Sequence, residues 1–286
     1  MAFAFIRKPN RPTLIAGPCM AESLELLEAV VTPLYALSQE LKFDLVFKAS
    51  FDKANRTSIG SYRGPGLTQT LKWFDTIKSK YPGLPVLTDV HETVQIAEAA
   101  EVIDVLQIPA FLCRQTDLLV AAAQTGWAVN VKKGQFLAPE NAQHIISKVV
   151  AAAEEKGFKP NYALTERGVT FGYSNLVVDM RGLKVMSDLG APVIFDITHS
   201  LQLPAAGGSS GEVSGGRRNF APVLARAAAA TGYLDGFFLE VHTNPNQAKS
   251  DAATQLSVEQ ASVLLRQVIP LWYHLKAATA NDGIFI

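Results

Sequence analysis

The sequence predicts one (β/α)8 TIM barrel, a single domain over residues 1–286. Three observations carry that expectation. Short β-rich runs ending in polar residues recur eight times along the chain. Each is followed by a longer segment of helical character, and strands alternating with helices imply a parallel sheet. No stretch of Pro/Gly/Ser composition divides the chain, whose length suits a barrel of roughly 250 residues plus additions. A doubly wound open sheet is the alternative architecture.

The first run, TLIAGPC (13–19), precedes a helix expected from Ser23, where SLELLEAVVTPLYALSQEL (23–41) sets apolar residues three and four apart. LVFKAS (45–50), PVLTDVH (85–91) and VLQIPA (105–110) are followed by helices expected from Leu67, Val94 and Thr116. AVNVKK (128–133) leads to a helix from Pro139, and ENAQHIISKVVAAAEEKG (140–157) repeats the helical spacing. YALTERG (162–168), PVIFDITH (192–199) and GFFLEVH (236–242) precede helices expected from Asn175, Gly216 and Ser257. The unit lengths are uneven and show no self-similarity, which argues against a solenoid.

Hydrophobic residues make up 48% of the chain, and Lys+Arg equals Asp+Glu at 26 each. A sizeable core is therefore available, with no basic excess for nucleic acid or an acidic membrane surface. The start, MAFAFIRKPNRPT, is too short in its apolar run to be a secretory signal. No run approaches the roughly 20 apolar residues that span a bilayer. These features read as a cytoplasmic protein, in which Cys19 and Cys113 are expected as reduced thiols or ligands.

Side chains of a barrel strand alternate between the interior and the surrounding helices. If Leu45, Phe47 and Ala49 face the helices, Lys48 faces inward. The same parity turns Asn130 and Lys132 inward, with Asp89 and His91, Arg167, and Phe238, Glu240 and His242. Polar residues at the carboxyl ends of six strands thus converge on one mouth, where barrel active sites sit. Burying so many charges without partners is costly.

Lys48, Lys53, Lys132 and Arg167 gather at this mouth, with Arg56 and Arg114 just beyond strand ends. Lysine offers a point charge and arginine a bidentate fork, and both suit phosphate and carboxylate oxygens. Six cations exceed the need of one phosphate. Lys53 and Lys133 are also readable as solvated loop charges, whereas Lys48 and Lys132 are not. An inward lysine among other cations is expected to add little to stability. A second set, Cys19, His199, Glu240 and Asp251, combines thiol, imidazole and carboxylates that can hold Zn²⁺ or another first-row divalent ion. In a closed barrel the eighth strand neighbours both the first and the seventh, which makes the three strand-end members adjacent. His91 and His242 are alternatively core histidines or supports to such a set. No nucleophile elbow, Walker A loop or dinucleotide turn is present. AAGGSSGEVSGGRR (205–218) is expected to be a mobile lid, with Arg217 and Arg218 able to close over an anion.

Taken together, IAGPC (15–19), FKASFDKANRTS (47–58), SYRGPG (61–66), TDVHE (88–92), QIPAFLCRQTDLL (107–119), NVKKGQF (130–136), ERGVTFGYSNLVVDMR (166–181), FDITHS (195–200), SGGRR (214–218), LEVH (239–242) and SDAATQL (250–256) resemble the metal-dependent 3-deoxy-D-manno-octulosonate 8-phosphate (Kdo 8-phosphate) synthases. The resemblance runs from Leu14 to about Leu256. It implies condensation of phosphoenolpyruvate with D-arabinose 5-phosphate and water, giving the eight-carbon sugar acid phosphate and inorganic phosphate, in lipopolysaccharide biosynthesis. It implies Lys48, Lys53, Lys132 and Arg167 around phosphoenolpyruvate. Asn55, Arg56, Thr57 and Arg114 would hold arabinose 5-phosphate, with Arg114 a candidate for supply by a neighbouring subunit of a homotetramer. Thr57 stands where the family usually has serine, and keeps the hydroxyl. Cys19, His199, Glu240 and Asp251 match the metal-dependent pattern, in which the cofactor is a divalent ion such as Zn, Fe or Mn, whereas metal-independent members carry asparagine in place of Cys19. Asp89 and His91 are candidates for orienting water. The loop after His199 is longer than the family pattern. Rival readings are a heptulosonate phosphate synthase using erythrose 4-phosphate, a class I aldolase with a Schiff base on Lys132 or Lys48, and a sugar phosphate-binding barrel without activity.

Overall fold

The structure is a computed structural model and describes residues 3–5, 10–56, 58–171, 175–207 and 213–279. Eight parallel strands close a barrel: β1 (Thr13–Gly17), β2 (Asp44–Lys48), β3 (Val86–Asp89), β4 (Val105–Ile108), β5 (Ala128–Lys132), β6 (Tyr162–Glu166), β7 (Val193–Asp196) and β8 (Gly236–His242). Each pairs with the next, and β8 returns to β1 with Thr13 opposite Gly236 and Gly17 opposite Glu240. The open-sheet alternative is thereby excluded. Within the described residues, eight helices surround the barrel: α1 (Leu24–Leu41), α2 (Leu67–Lys80), α3 (Val94–Ala99), α4 (Thr116–Ala123), α5 (Gln143–Glu155), α6 (Arg181–Asp188), α7 (Ala221–Ala230) and α8 (Val258–Ala278). Among the described residues no helix is long and apolar enough to cross a membrane.

Local chemistry sets the helix starts. The Ser23 hydroxyl accepts from the Leu26 amide at 3.2 Å and opens α1. Ser257 and Gln260 form a reciprocal capping box at α8, satisfying two backbone donors that the helix cannot. Two expected helix starts are corrected. Residues Asn175–Val177 form a strand antiparallel to Val169–Phe171, and α6 begins only at Arg181. Val213–Gly216 pairs antiparallel with Gln202–Gly207, and α7 begins at Ala221. In both places the chain satisfies its backbone in a hairpin before turning back along the barrel. Much of the expected lid is therefore hairpin strand, and residues 208–212 lie outside those described.

The strand parity expected from sequence divides the core in two. Leu45, Phe47, Val129, Val131, Phe237, Leu239 and Val241 pack in the large core between sheet and helices. Ile15, Val46, Leu87, Val105, Ala128, Ala163, Ile194 and Phe238 fill the barrel interior, one residue from each strand. Phe5 closes the bottom of this layer, its amide donating to Asn161 Oδ1 at 2.8 Å. The interior is thus a packed plug, and the polar residues above it stand on an apolar floor. At Gly17 a Cβ would lie 2.0 Å from the Lys48 carbonyl oxygen. Glycine alone permits this approach of β1 to β2, which brings Cys19 beside Lys48.

Candidate active site

Above the Phe238 ring, the buried Lys48, Lys132 and Arg167 and the half-buried Lys53 gather with acids at the carboxyl ends of the strands. Lys48, at the end of β2, is 1% exposed and meets Glu240 Oε1 of β8 at 2.7 Å. It also donates to the Cys19 carbonyl at 2.9 Å. Lys132, at the end of β5, meets Asp196 of β7 and lies 3.3 Å from the Phe238 ring centroid. Lys53 reaches back from the following loop to Ser50 Oγ at 2.9 Å. Burial works against its charge, but Cys19, Glu240, Asp89 and Asp251 outweigh it and hold the ammonium above its ordinary range. Arg167 is buried, and burial weakens its hold on the proton.

These pairings correct two expectations. The inward lysines are not left among like charges, because each buried ammonium has a carboxylate that offsets part of its desolvation. Lys133 is not a solvated loop charge. It is fully buried on the outer side of β5, 3.3 Å from Glu166 Oε2, and donates to the Leu137 carbonyl at 2.9 Å.

Burial pushes the Lys132 amine down to about 8, against the opposing pull of Asp196. At Glu240 burial favours the neutral acid, yet Lys48, His199 and Lys53 prevail and lower it to about 2. Asp89 likewise stays below the usual carboxylate range, since Lys53, Lys48 and His91 overcome its burial. Asp89 accepts from Ser50 Oγ and Gln107 Nε2. The chain continues as Asn130 Nδ2 donates to Gln107 Oε1 at 2.8 Å and Thr165 Oγ1 to Asn130 Oδ1 at 2.7 Å. His91 is half-buried against Phe51, with burial depressing its affinity for a proton.

The candidate metal set converges. Ligand atoms of Cys19, Glu240 and Asp251 all lie within 4.8 Å of one another. His199 Nε2 stands 3.8 Å from Glu240 Oε1 and 3.9 Å from Asp251 Oδ2. Its Nδ1 lies 2.8 Å from Asp196 Oδ2, close enough for an ion pair though not aligned as a hydrogen bond, which places a carboxylate behind the imidazole. Burial, then Glu240, raises the Cys19 thiol well above its ordinary value, and its Sγ lies 3.1 Å from Asp251 Oδ2. Glu240 Oε2 is buried without a hydrogen-bond partner. A soft thiol, an imidazole and two carboxylates, one with an unpaired buried oxygen, fit a first-row divalent cation. His242 stays outside this cluster, accepting from the Asn244 amide at 2.9 Å.

A second unpaired group is cationic. Arg167 Nη2 donates to Gln202 Oε1 at 2.6 Å, while its Nη1 is buried without a partner. The mouth therefore presents an unpaired donor for an anion beside an unpaired acceptor for a cation.

The sugar-phosphate candidates are more scattered. Arg56 donates to the Tyr62 and Lys249 carbonyls, at 3.0 Å and 2.6 Å, and Asn55 is exposed. Thr57 lies outside the described residues. Arg114 is exposed on the turn after β4 and lines a cavity of about 250 Å³ with Asn141, His144, Ile145 and Lys148. Arg217 is exposed, and the half-buried Arg218 donates to the Ala252 carbonyl. Sequence reasoning missed Asp196, Gln107 and Gln202. Parity was the available signal for the first two, since Asp196 follows inward Ile194 by two positions and Gln107 follows inward Val105 by two.

Comparison with known proteins gives this geometry a family. The model of the DAHP synthetase I family matches residues 5–274. A protein of Desulfatibacillum aliphaticivorans is 50% identical over 258 residues, covering 90% of this chain and 91% of the relative. One from Trichlorobacter lovleyi is 51% identical over 255 residues, with 89% and 90% covered. One from Helicobacter pylori strain P12 is 50% identical over 272 residues, with 92% and 96% covered. All three are named 2-dehydro-3-deoxyphosphooctonate aldolase. The chain belongs to the DAHP synthetase I family.

Proposed function

We propose that the chain condenses phosphoenolpyruvate with D-arabinose 5-phosphate and water, giving 3-deoxy-D-manno-octulosonate 8-phosphate and inorganic phosphate. This is the reaction of a 2-dehydro-3-deoxyphosphooctonate aldolase, the name carried by relatives at about half identity over nine-tenths of the chain. The observation that supports it within the molecule is the buried anion site of Lys48, Lys132 and Arg167, with Arg167 Nη1 unpaired.

In this reading Lys48, Lys53, Lys132 and Arg167 hold the phosphate and carboxylate of phosphoenolpyruvate by charge-assisted hydrogen bonds. Asn55, Arg56 and Thr57 hold the sugar phosphate, and Arg114 serves the mouth of a neighbouring copy in a homotetramer. The methylene carbon of phosphoenolpyruvate bonds to the aldehyde carbon, whose oxygen takes up a proton. Water adds at the enol carbon and gives up a proton, and the C–O bond to phosphate breaks. Asp89, anionic at neutral pH, and His91 orient that water. Cys19, His199, Glu240 and Asp251 hold a divalent cation, with Asp196 behind the His199 ring. When bound, such an ion supplies Lewis-acid polarisation of water or of the sugar's oxygens. The reaction is assigned to the cytoplasm.

One observation favours a second reading. An amine lowered to about 8, as in Lys132, suits Schiff-base chemistry. Borohydride treatment in the presence of pyruvate or the 2-keto acid product separates the two, since phosphoenolpyruvate has no carbonyl and only an imine to a keto acid is trapped on the protein. The direct test is phosphate release from phosphoenolpyruvate with arabinose 5-phosphate, with and without chelator. Release that needs the sugar and falls with chelator supports the proposal. Release without the sugar, or none, sinks it.

A further inference from the structure

Gln202 is the first residue of the hairpin strand Gln202–Gly207, three positions after His199. Its amide stands between the unpaired anion site and the candidate metal set. Oε1 accepts from Arg167 Nη2 at 2.6 Å, and Nε2 donates to Asp251 Oδ1 at 3.0 Å. The amide can do both in one orientation only. Turned over, its NH₂ would face the guanidinium donors and its carbonyl oxygen the carboxylate.

Each contact leaves the other half of its partner for a ligand. With Oδ1 engaged by Gln202, Asp251 turns Oδ2 toward Cys19, at 3.1 Å, and His199, at 3.9 Å. With Nη2 engaged, Arg167 keeps Nη1 buried and open. The backbone around Asp251 is held independently. Asp251 has a left-handed φ of 49°, and its carbonyl accepts from the Thr254 and Gln255 amides, both at 3.0 Å. Arg218, just past the Gly216 that pairs with Gln202, ties this end of the strand pair to the Ala252 carbonyl. The backbone is thus fixed without Gln202, whereas the rotation of the Asp251 carboxylate is set by the Gln202 amide on Oδ1 and the Cys19 thiol, itself a candidate ligand, on Oδ2.

We propose that Gln202 is a positioning residue that sets the Asp251 carboxylate for a divalent cation and the Arg167 guanidinium for an anion at the same time. The inference rests on the metal and phosphoenolpyruvate sites of the proposed function. It differs from the ligand roles in that Gln202 acts through two other residues. Removing a hydrogen-bond partner of a metal ligand typically costs 10- to 100-fold in metal affinity.

The test is Gln202→Met, which keeps the length of the side chain and deletes both amide contacts. Zn²⁺ affinity is measured by competition with a chromophoric chelator. Phosphoenolpyruvate affinity is measured separately on metal-free protein, by equilibrium dialysis. Both constants are expected to weaken about 10-fold or more relative to the wild type. A loss in one constant with the other unchanged overturns the bridge, and no change in either overturns the role altogether. If Gln202→Met does not fold, Gln202→Ala, which leaves room for water, carries the same two measurements. A wild-type protein that binds no Zn²⁺ overturns the metal set and this proposal with it. A wild type that binds both ligands but does not turn over overturns the proposed reaction, and leaves these two binding constants to decide the role of Gln202.

Discussion

Replacing Lys132 by methionine separates its role in binding from its role in the fold. Lys132 is 4% exposed and its ammonium is held down to about 8, against roughly 10.4 for a free lysine. Keeping it charged at pH 7 therefore costs the folded state about 3 kcal/mol. Lys132→Met removes a partner of Asp196, and breaking a buried pair costs about 3–5 kcal/mol, with the relief of lysine desolvation already inside that figure. Asp196 retains the His199 ring at 2.8 Å and the His199 amide at 2.9 Å, which favours the lower end, about 3 kcal/mol and a fall in Tm of roughly 6–12 °C. Binding loses a contact as well. One charge-assisted contact to phosphoenolpyruvate is worth about 1.5–3 kcal/mol, or roughly 10- to 150-fold in kcat/KM. Phosphate-release kinetics at varied phosphoenolpyruvate, beside thermal denaturation, reads both quantities. The pH profile sharpens the assay. Because the folded pKa lies below the unfolded one, the stability cost of Lys132 is full below pH 8 and fades as pH rises toward about 10.4. Anion binding runs the opposite way and is lost above about pH 8, so kcat/KM for phosphoenolpyruvate should fall on an alkaline limb near 8. Lys132→Arg, charged at all these pH values, should move that limb upward. An unchanged KM in Lys132→Met, or an unmoved limb in Lys132→Arg, refutes the reasoning.

Three further outcomes follow from the geometry. Arg56→Ala should raise the KM for arabinose 5-phosphate roughly 10- to 150-fold while sparing phosphoenolpyruvate, and steady-state kinetics showing the reverse would mean that the two pockets are exchanged. Asp196→Asn leaves His199 without its carboxylate partner and should weaken Zn²⁺ binding by about 10- to 100-fold, measured by chelator competition; wild-type affinity would show that the contact does not support ligation. Cys19→Asn removes the thiol but leaves an amide beside Asp251, so metal content should collapse while some turnover persists that chelator no longer touches; elemental analysis and phosphate release check both halves, and turnover that still needs metal contradicts it.

The barrel was legible because its signal is repetitive. Each strand carries its parity in a few residues, and Val46, Ala128, Ala163 and Phe238 face the interior as period-two alternation requires. Lys48 and Lys132 were found by the same rule. Lys133 was not, because the residue after an inward lysine can point either to solvent or into the packed layer behind the sheet. Glu166, one strand away, decides that it is buried. The pairings of Val169–Phe171 with Asn175–Val177 and of Gln202–Gly207 with Val213–Gly216 escaped detection because their glycines and polar residues resemble loops, and antiparallel pairing depends on a partner segment that local periodicity does not reveal. Gln202 escaped for a related reason. Its two contacts, Arg167 and Asp251, lie 35 and 49 positions away, and only the closed barrel brings them together.

The central claim is that this mouth joins phosphoenolpyruvate to a five-carbon rather than a four-carbon aldose phosphate. A ³¹P NMR time course with phosphoenolpyruvate and equimolar arabinose 5-phosphate and erythrose 4-phosphate in one tube tests it most directly. The account predicts that arabinose 5-phosphate disappears in step with phosphoenolpyruvate, one inorganic phosphate and one new sugar acid phosphate appearing for each, while erythrose 4-phosphate remains. Consumption of erythrose 4-phosphate in its place, or a spectrum in which neither sugar changes, contradicts it.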